Sequence, residues 1–274
     1  MCDMFSFLRT KKINMDANDV RRYRLIAFDI DGTITESKMS IDNEMASLLC
    51  MLLRDYDVAL VSGASYVQMV EQIVERLPCE SSWGHMWLVP VSGALLYGYT
   101  NGVWACLDSH VFTAEEDVAV RAAFAEAFVE TGYRQPETLF GDVFESRGGQ
   151  VTFSALGQHA PVAEKEAWNK TSDVRPALKK ALSQRLLKYE IRSGGMTSID
   201  VTKKGIDKAF AIENLVRFSG VPISDVVYVG DALYPGGNDE TVKKSGVQTI
   251  AVTGPEDTKV LIREILFYTD KRKN

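Results

Sequence analysis

Two aspartates one residue apart, Asp29 and Asp31, follow a short apolar run and stand beside Gly32. A run of this length that ends at Asp-Gly is typical of a buried strand. In open α/β sheets, ligands collect at the carboxyl ends of the strands, so both carboxylates are expected at a binding edge. A carboxylate there can attack phosphorus and form an acyl phosphate, which divides one difficult displacement into two easier steps. Two carboxylates with phosphate oxygens and water also suit Mg²⁺.

Two further groups with suitable chemistry stand at the ends of other predicted elements. Ser62 and Gly63 follow the apolar run 58–61, so a hydroxyl and a backbone amide there can donate to a phosphate oxygen. Lys208 opens a predicted helix near 207–218. Its ammonium would offset the charge of a phosphate and of the aspartate pair. Each group alone also has an ordinary explanation as a turn residue, a cap or a solvated side chain.

An acidic loop supplies the remaining candidate ligands. Asp231 ends the predicted strand 225–229, and a glycine-rich loop with Asn238 and Asp239 follows it. Asp231 and Asp239 can complete the oxygen shell of a metal ion, and Asn238 can donate to a phosphate. Taken singly, this too is a turn-rich loop.

Alternating strands and helices at both ends of the chain predict an α/β fold with a doubly wound parallel sheet. The middle differs, because an Ala-rich helix near 113–130 precedes hairpins with Gly turns, which predicts an inserted α+β cap with an antiparallel sheet. The predicted plan has a core domain, an N-terminal extension and a cap, with the bounds 23–96 and 201–274 for the core, 1–22 for the extension and 97–200 for the cap.

Composition narrows the classes of function. The net charge of −6 and the pI of about 5.3 argue against a nucleic-acid binder. No apolar stretch is long enough to span a membrane. Four cysteines without CxxC spacing and three scattered histidines suggest neither zinc nor a disulfide framework. We therefore expect reduced thiols and a cytoplasmic location. Independently of composition, the phosphoryl-transfer chemistry described above predicts a small phosphorylated metabolite as the substrate, and we expect a monomer or homodimer.

The order acid pair, hydroxyl, lysine and acidic loop resembles the haloacid dehalogenase (HAD) superfamily. That resemblance implies an Mg²⁺-dependent phosphoryl transfer with Asp29 as nucleophile and Asp31 as general acid and base. It also implies a set of phosphate and metal ligands, namely Ser62, Gly63, Lys208 and Asn238 for phosphate, and Asp29, Asp31, Asp231 and Asp239 for the metal.

The position of the cap resembles the large-capped, Cof-like (IIB) group, and several strings are most similar to eukaryotic-type phosphomannomutase. They include Gly236-Gly-Asn-Asp239, Gly205-Ile-Asp-Lys208 and Glu145-Ser-Arg-Gly-Gly149. The resemblance implies that the cap grips a sugar phosphate through Arg147, Ser198 and Asp200.

Two arginines of that pattern are replaced in this chain, by Phe140 and by Gln158. A mutase must retain a bisphosphate, and arginine forks suit that task best. Arg192 and Lys188 are cations that could substitute in part. Three alternatives therefore stay open. A sugar phosphatase is the main prediction, a phosphomannomutase is the alternative, and a non-catalytic binding protein is the third.

Overall fold

A computed structural model describes residues 23–194 and 196–273, with side chains up to residue 269. It contains a seven-stranded mixed sheet and a four-stranded antiparallel sheet. Helices accompany both sheets, so the predicted α/β core with an α+β cap is confirmed in kind. The predicted extension, 1–22, lies outside the described residues.

The elements of the described residues follow in chain order. The strands are β1 (Leu25–Asp29), β2 (Asp57–Val61), β3 (Met86–Val89), β4 (Leu95–Thr100), β5 (Val103–Ser109), β6 (Phe144–Ser146), β7 (Gln150–Ser154), β8 (Tyr189–Gly194), β9 (Ser198–Lys203), β10 (Val226–Gly230) and β11 (Gln248–Ala251). The α-helices are α1 (Asn43–Leu52), α2 (Tyr66–Gln72), α3 (Ala114–Thr131), α4 (Val162–Thr171), α5 (Arg175–Arg185), α6 (Lys208–Ser219) and α7 (Pro255–Lys273).

The core sheet has the strand order β11-β10-β1-β2-β3-β4-β5, and its first five strands are parallel. Ile26 and Phe28 of β1 pack with α1, α2 and α7, whereas Leu25 and Ala27 pack with α6. Burial on both faces explains why these strands read as continuous apolar runs. Helices on both faces leave the carboxyl edge of the parallel strands as the open edge.

The hairpin of β4 and β5 belongs to the core sheet, since β4 pairs antiparallel with β3. We had predicted that the cap begins at residue 97, which falls inside β4. The sheet therefore places residues 97–109 in the core. Nor does the cap sheet end at residue 200, because β9 continues to Lys203.

The cap sheet has the order β6-β7-β9-β8. One face, with Val151 and Phe153, packs against Phe124 of α3 and Leu178 of α5 in a second apolar cluster. Because side chains alternate along a strand, the polar residues between them point to the opposite face. That face turns toward the core and carries Thr152 among its buried polar side chains.

A disulfide joins Cys50 at the end of α1 to Cys79 in the loop after α2, with the Cα atoms 5.7 Å apart. The expectation of reduced thiols is therefore wrong for this pair, and the argument from thiols to a reducing compartment loses its basis there. Spacing could not reveal the pair, since 29 residues of chain separate the two cysteines. Cys106 is free and exposed.

Among the described residues, no helix combines the length and the apolar character that crossing a membrane requires.

Candidate active site

The predicted site residues of the core meet at the carboxyl edge of the core sheet. Asp29 is the last residue of β1, Ser62 directly follows β2, and Asp231 directly follows β10. Lys208 is the first residue of α6, which begins where Asp207 accepts hydrogen bonds from two backbone amides of its first turn. Parallel strands end at one edge, so four separate sequence positions converge in space.

Lys208 is the centre of the buried polar network. Its ammonium contacts Asp29 Oδ1 and Asp239 Oδ1, and it donates to the hydroxyl of Tyr228 at 3.2 Å. Tyr228 in turn donates to Asp239 Oδ1 at 2.7 Å, while Asp239 Oδ2 accepts from the backbone amide of Ala232 at 3.2 Å. Each of these side chains is buried, so the lysine and its partners are held in one geometry.

The charges in this network are not balanced. Burial, only partly offset by Lys208, raises the pKa of Asp29 from 3.8 to about 6. Burial and the charge of Asp239 also raise the pKa of Asp231. Burial alone would lower the pKa of Lys208, but Asp29 and Asp239 raise it above its usual value. The site thus has an excess of negative charge that one ammonium does not neutralise.

This donor set fits a divalent cation. Carboxylate oxygens of Asp29, Asp231 and Asp239 lie within 4.8 Å of one another. Asp239 already uses both oxygens, so Asp29 Oδ2 and Asp231 are the better placed ligands. The hydroxyl of Thr33 lies 3.5 Å from Asp29 Oδ2 and 3.4 Å from Asp231 Oδ1. A hard cation prefers such oxygen ligands and would offset the repulsion among these carboxylates.

Asp31 stands apart from the carboxylate cluster, although we had predicted it among the metal ligands. Its Oδ1 accepts a hydrogen bond from the backbone amide of Lys38 at 2.5 Å, and its side chain lines the cavity. Gly32, which directly follows Asp31, has a φ of +80°, and a Cβ there would lie 2.6 Å from Asp231 Oδ2. Glycine is therefore required for the loop to pass beside Asp231.

A cavity of about 590 Å³ lies between the carboxyl edge and the polar face of the cap. It is lined by most of the residues predicted from the sequence, namely Asp29, Asp31, Ser62, Gly63, Lys208, Asn238, Arg147 and Asp200. Its size falls in the range of small-molecule sites, about 300–1,000 Å³. Ser198 does not line it, and its hydroxyl lies 3.3 Å from that of Ser154 within the cap sheet.

Arg147 connects the cap to the core. One guanidinium nitrogen donates to Glu145 at 2.7 Å and another donates to the carbonyl of Gly63 at 3.3 Å. Asp200 accepts from Thr152 at 2.8 Å, and burial raises the pKa of this carboxyl despite Thr152 and Arg147. The cap therefore presents a cation and a carboxyl to the cavity.

Phe140 and Gln158 do not line the cavity. Phe140 packs against the apolar cluster of the cap. Lys188, which we had considered as a substitute cation, does not line the cavity, whereas Arg192 does.

Several residues of the site escaped the sequence analysis. Tyr228 reads as one more apolar residue of a buried strand, and Lys38 and Lys179 as solvated lysines. Ser92 also lines the cavity, with a φ of +53°, and follows Val91 with a φ of +52°. For Tyr228 the sequence offered only its position, three residues before Asp231 in the strand that leads to that acid.

The family model described as "Eukaryotic phosphomannomutase" matches residues 45–268 of the chain, beginning after the Asp29–Asp31 pair. Phosphomannomutase 1 of Dictyostelium discoideum is 26% identical over 250 residues, covering 88% of this chain and 95% of that protein. Phosphomannomutase 1 of Homo sapiens is also 26% identical over 250 residues, covering 89% and 92%. The similarity thus extends over both the core and the cap.

Solved structures with the same fold have little sequence in common with this chain. The IMP-nucleotidase of Plasmodium falciparum superposes with a TM-score of 0.68 at 15% identity, over 93% of this chain and 71% of that one. A trehalose-6-phosphate phosphatase of Aspergillus fumigatus superposes with a TM-score of 0.54 at 18% identity, over 92% of this chain and 96% of that one. Because the family match covers most of the chain, the protein belongs to the eukaryotic phosphomannomutase family and is an enzyme of the HAD type.

Proposed function

We propose that this protein is an Mg²⁺-dependent hexose phosphate mutase that carries the phosphoryl group on Asp29. One observation carries the proposal. The buried Lys208–Asp29–Asp239 network faces a cavity that Arg147 and Asp200 close from the cap side, in a chain of the phosphomannomutase family. The sequence analysis favoured a phosphatase, with the mutase as the alternative. Family membership over residues 45–268 reverses that order.

Asp29 attacks the phosphorus of a sugar phosphate, so that an aspartyl oxygen–phosphorus bond forms while the bond from phosphorus to the sugar oxygen breaks. Lys208 holds the Asp29 carboxylate in place and offsets the charge of the incoming phosphate. Asp29 and Asp231 would hold Mg²⁺, which would supply charge stabilisation for the transferred phosphoryl group. Ser62, Gly63 and Asn238 line the same cavity and provide hydrogen-bond donors for the phosphate.

Asp31 supplies the proton for the leaving sugar oxygen. It then accepts a proton from the sugar hydroxyl that takes the phosphoryl group from Asp29. Its place outside the carboxylate cluster, facing the cavity, supports this role over that of a metal ligand. Arg147 and Asp200 would hold the sugar end, and the cap would exclude water while the aspartyl phosphate persists.

A specific observation favours a phosphatase as the second candidate. Phe140 and Gln158 stand where the family pattern has arginines, and neither lines the cavity. Weaker retention of a bisphosphate would leave water as the acceptor. Each missing charged hydrogen bond would weaken the binding free energy of the bisphosphate by about 1.5–3 kcal/mol.

A product assay decides between the two. Mannose 1-phosphate and glucose 1-phosphate are supplied in turn with Mg²⁺ and a hexose 1,6-bisphosphate activator, and the 6-phosphate and free phosphate are both measured. The mutase proposal expects 6-phosphate to form at least about tenfold faster than free phosphate. Dominant release of free phosphate would replace it with the phosphatase. The Asp29→Asn protein, assayed in parallel, reports any product from a contaminating enzyme.

A further inference from the structure

Two cations of the cap line the cavity without a strong partner of their own. Lys179 lies on α5, and no hydrogen bond or ion pair is found for its ammonium among the described residues. Arg192 lies on β8, and its guanidinium is 3.7 Å from Asp207 Oδ2, beyond the range of a good hydrogen bond. Both side chains are therefore available to a ligand in the cavity.

We propose that Lys179 and Arg192, together with Arg147, form a subsite for the second phosphate of a hexose bisphosphate. This inference rests on the proposed function and deepens it by naming the groups that retain the bisphosphate. Lys179 and Arg192 come from α5 and β8 and not from the sequence positions of Phe140 and Gln158, where the family pattern has two of its arginines.

Strand register places Arg192 correctly for this role. It is the cross-strand partner of Asp200 on β9, and Asp200 is the partner of Thr152 on β7. Cross-strand partners project from the same face of a sheet, so Arg192 shares the polar face that turns toward the core. The guanidinium and the Asp200 carboxyl can then bind different groups of one substrate.

The helix that carries Lys179, α5, is linked to β8 by a contact of Arg175. Arg175 lies four residues before Lys179, on the same side of α5. It donates to the carbonyl of Gly194 at 3.2 Å and pairs with Asp173 at 2.7 Å. Gly194 and its neighbour Ser193 line the cavity. Arg175 thus fastens the end of β8 to the helix, and the two new cations belong to one supported surface.

The charges of the cap side favour a polyvalent anion. Its cavity-lining cations are Lys179, Arg192 and Arg147, and Asp200 is its cavity-lining carboxylate. Burial raises the pKa of Asp200, which weakens the negative contribution further. A phosphate dianion would offset the remaining positive charge, and guanidinium groups bind phosphate oxygens in pairs.

Binding of α-D-glucose 1,6-bisphosphate to the full-length protein tests the subsite by titration calorimetry. The variants are Lys179→Met, Arg192→Met and the double variant, and inorganic phosphate serves as a probe with a single phosphate group for the nucleophile end. We expect each single variant to weaken bisphosphate binding about tenfold and the double variant roughly 10²-fold, with a much smaller change for inorganic phosphate. Lys179→Arg should restore most of the affinity.

Lys180→Met is the matched control, since Lys180 is the exposed neighbour on the same helix and does not line the cavity. Equal losses for Lys180→Met and Lys179→Met would overturn the subsite, because they would reflect general charge and not a specific contact. It would also be overturned if the double variant bound bisphosphate within about twofold of the parent, or if the parent bound none. The titration needs no turnover, so it can succeed or fail independently of the product assay for the proposed function.

Discussion

The chemistry of the site depends on a charge imbalance at single residues. Asp29, Asp231 and Asp239 face one ammonium, that of Lys208, and of these carboxylates Asp29 and Asp239 are buried and Asp231 is half-buried. Such a cluster is costly in an apolar interior unless a cation completes it. For the same reason, the protonation of these carboxylates should depend on whether a metal ion or a phosphate is bound, because either ion changes the net charge of the site.

Replacing Asp29 by Asn keeps the shape of the side chain and removes the attacking charge. We expect turnover to fall by at least ~10³-fold, because the nucleophile acts as a unit with its neighbours. Steady-state kinetics at saturating Mg²⁺ measure the loss, and thermal unfolding of the variant verifies that it is folded. Turnover within about tenfold of the parent would show that another group attacks phosphorus.

The affinity for Mg²⁺ should depend on pH through Asp29, whose pKa is raised to about 6 in the metal-free protein. A metal ion binds the charged carboxylate, so a proton competes with it below that pH. We expect the apparent dissociation constant for Mg²⁺ to be flat above about pH 7 and to rise about tenfold for each unit below about pH 6. Calorimetric titrations of the metal across this range measure it.

A flat affinity from about pH 5 to about pH 8 would mean that Asp29 is not a metal ligand. Removal of the metal with EDTA should also abolish turnover, and added Mg²⁺ should restore it. Full activity after exhaustive chelation would contradict the proposed mechanism.

At the level of elements, the disulfide fastens the segment after α2 to the end of α1. This segment matters to the site, since Gln68 and Gln72 of α2 line the cavity. A cross-link between residues 29 apart in sequence restricts the unfolded chain, which is the main source of its stabilising effect.

Cys79→Ser should therefore lower the free energy of unfolding by about 3 kcal/mol under oxidising conditions. Denaturant unfolding of the parent and the variant measures the difference, which should vanish when a reductant is added. Cys106→Ser is the matched control, because Cys106 is exposed and free. If reductant leaves the stability of the parent unchanged, the bond does not stabilise this fold.

At the level of the whole molecule, the cap and the core line the cavity together. Arg147 contacts Gly63, next to Ser62 of the core, while it lines the cavity from the cap side. Under the proposed function, this position would let Arg147 serve both closure of the cap and recognition of a larger substrate.

Arg147→Ala should raise KM for a hexose phosphate about tenfold more than KM for a minimal aryl phosphate, because only the larger substrate reaches the cap. Parallel kinetics with the two substrates measure the ratio. Arg185→Ala is a suitable control, since Arg185 pairs with Glu126 and Glu130 and does not line the cavity. Equal rises for both substrates would remove Arg147 from sugar recognition.

The sequence by itself determined the carboxyl edge of the site. Asp29, Ser62 and Asp231 were predictable because each directly ends or follows a buried strand, and parallel strands end together. Lys208 was predictable because the helix that it opens begins at a capping aspartate. The apolar runs and helical periods that define these elements are local patterns, so no distant contact is needed to recognise them.

Only the tertiary structure decided how distant segments pair. The alternation along β4 and β5 suits either sheet, and their pairing with β3 was settled by packing. The spacing of Cys50 and Cys79 in the sequence does not indicate a disulfide, and only the packing of α1 against the loop after α2 brings the two residues together. The cavity-facing side of Lys179 and Arg192 depends on where the cap rests against the core. Such contacts join residues far apart in the chain, and their energy comes from the packed surfaces and not from local propensity.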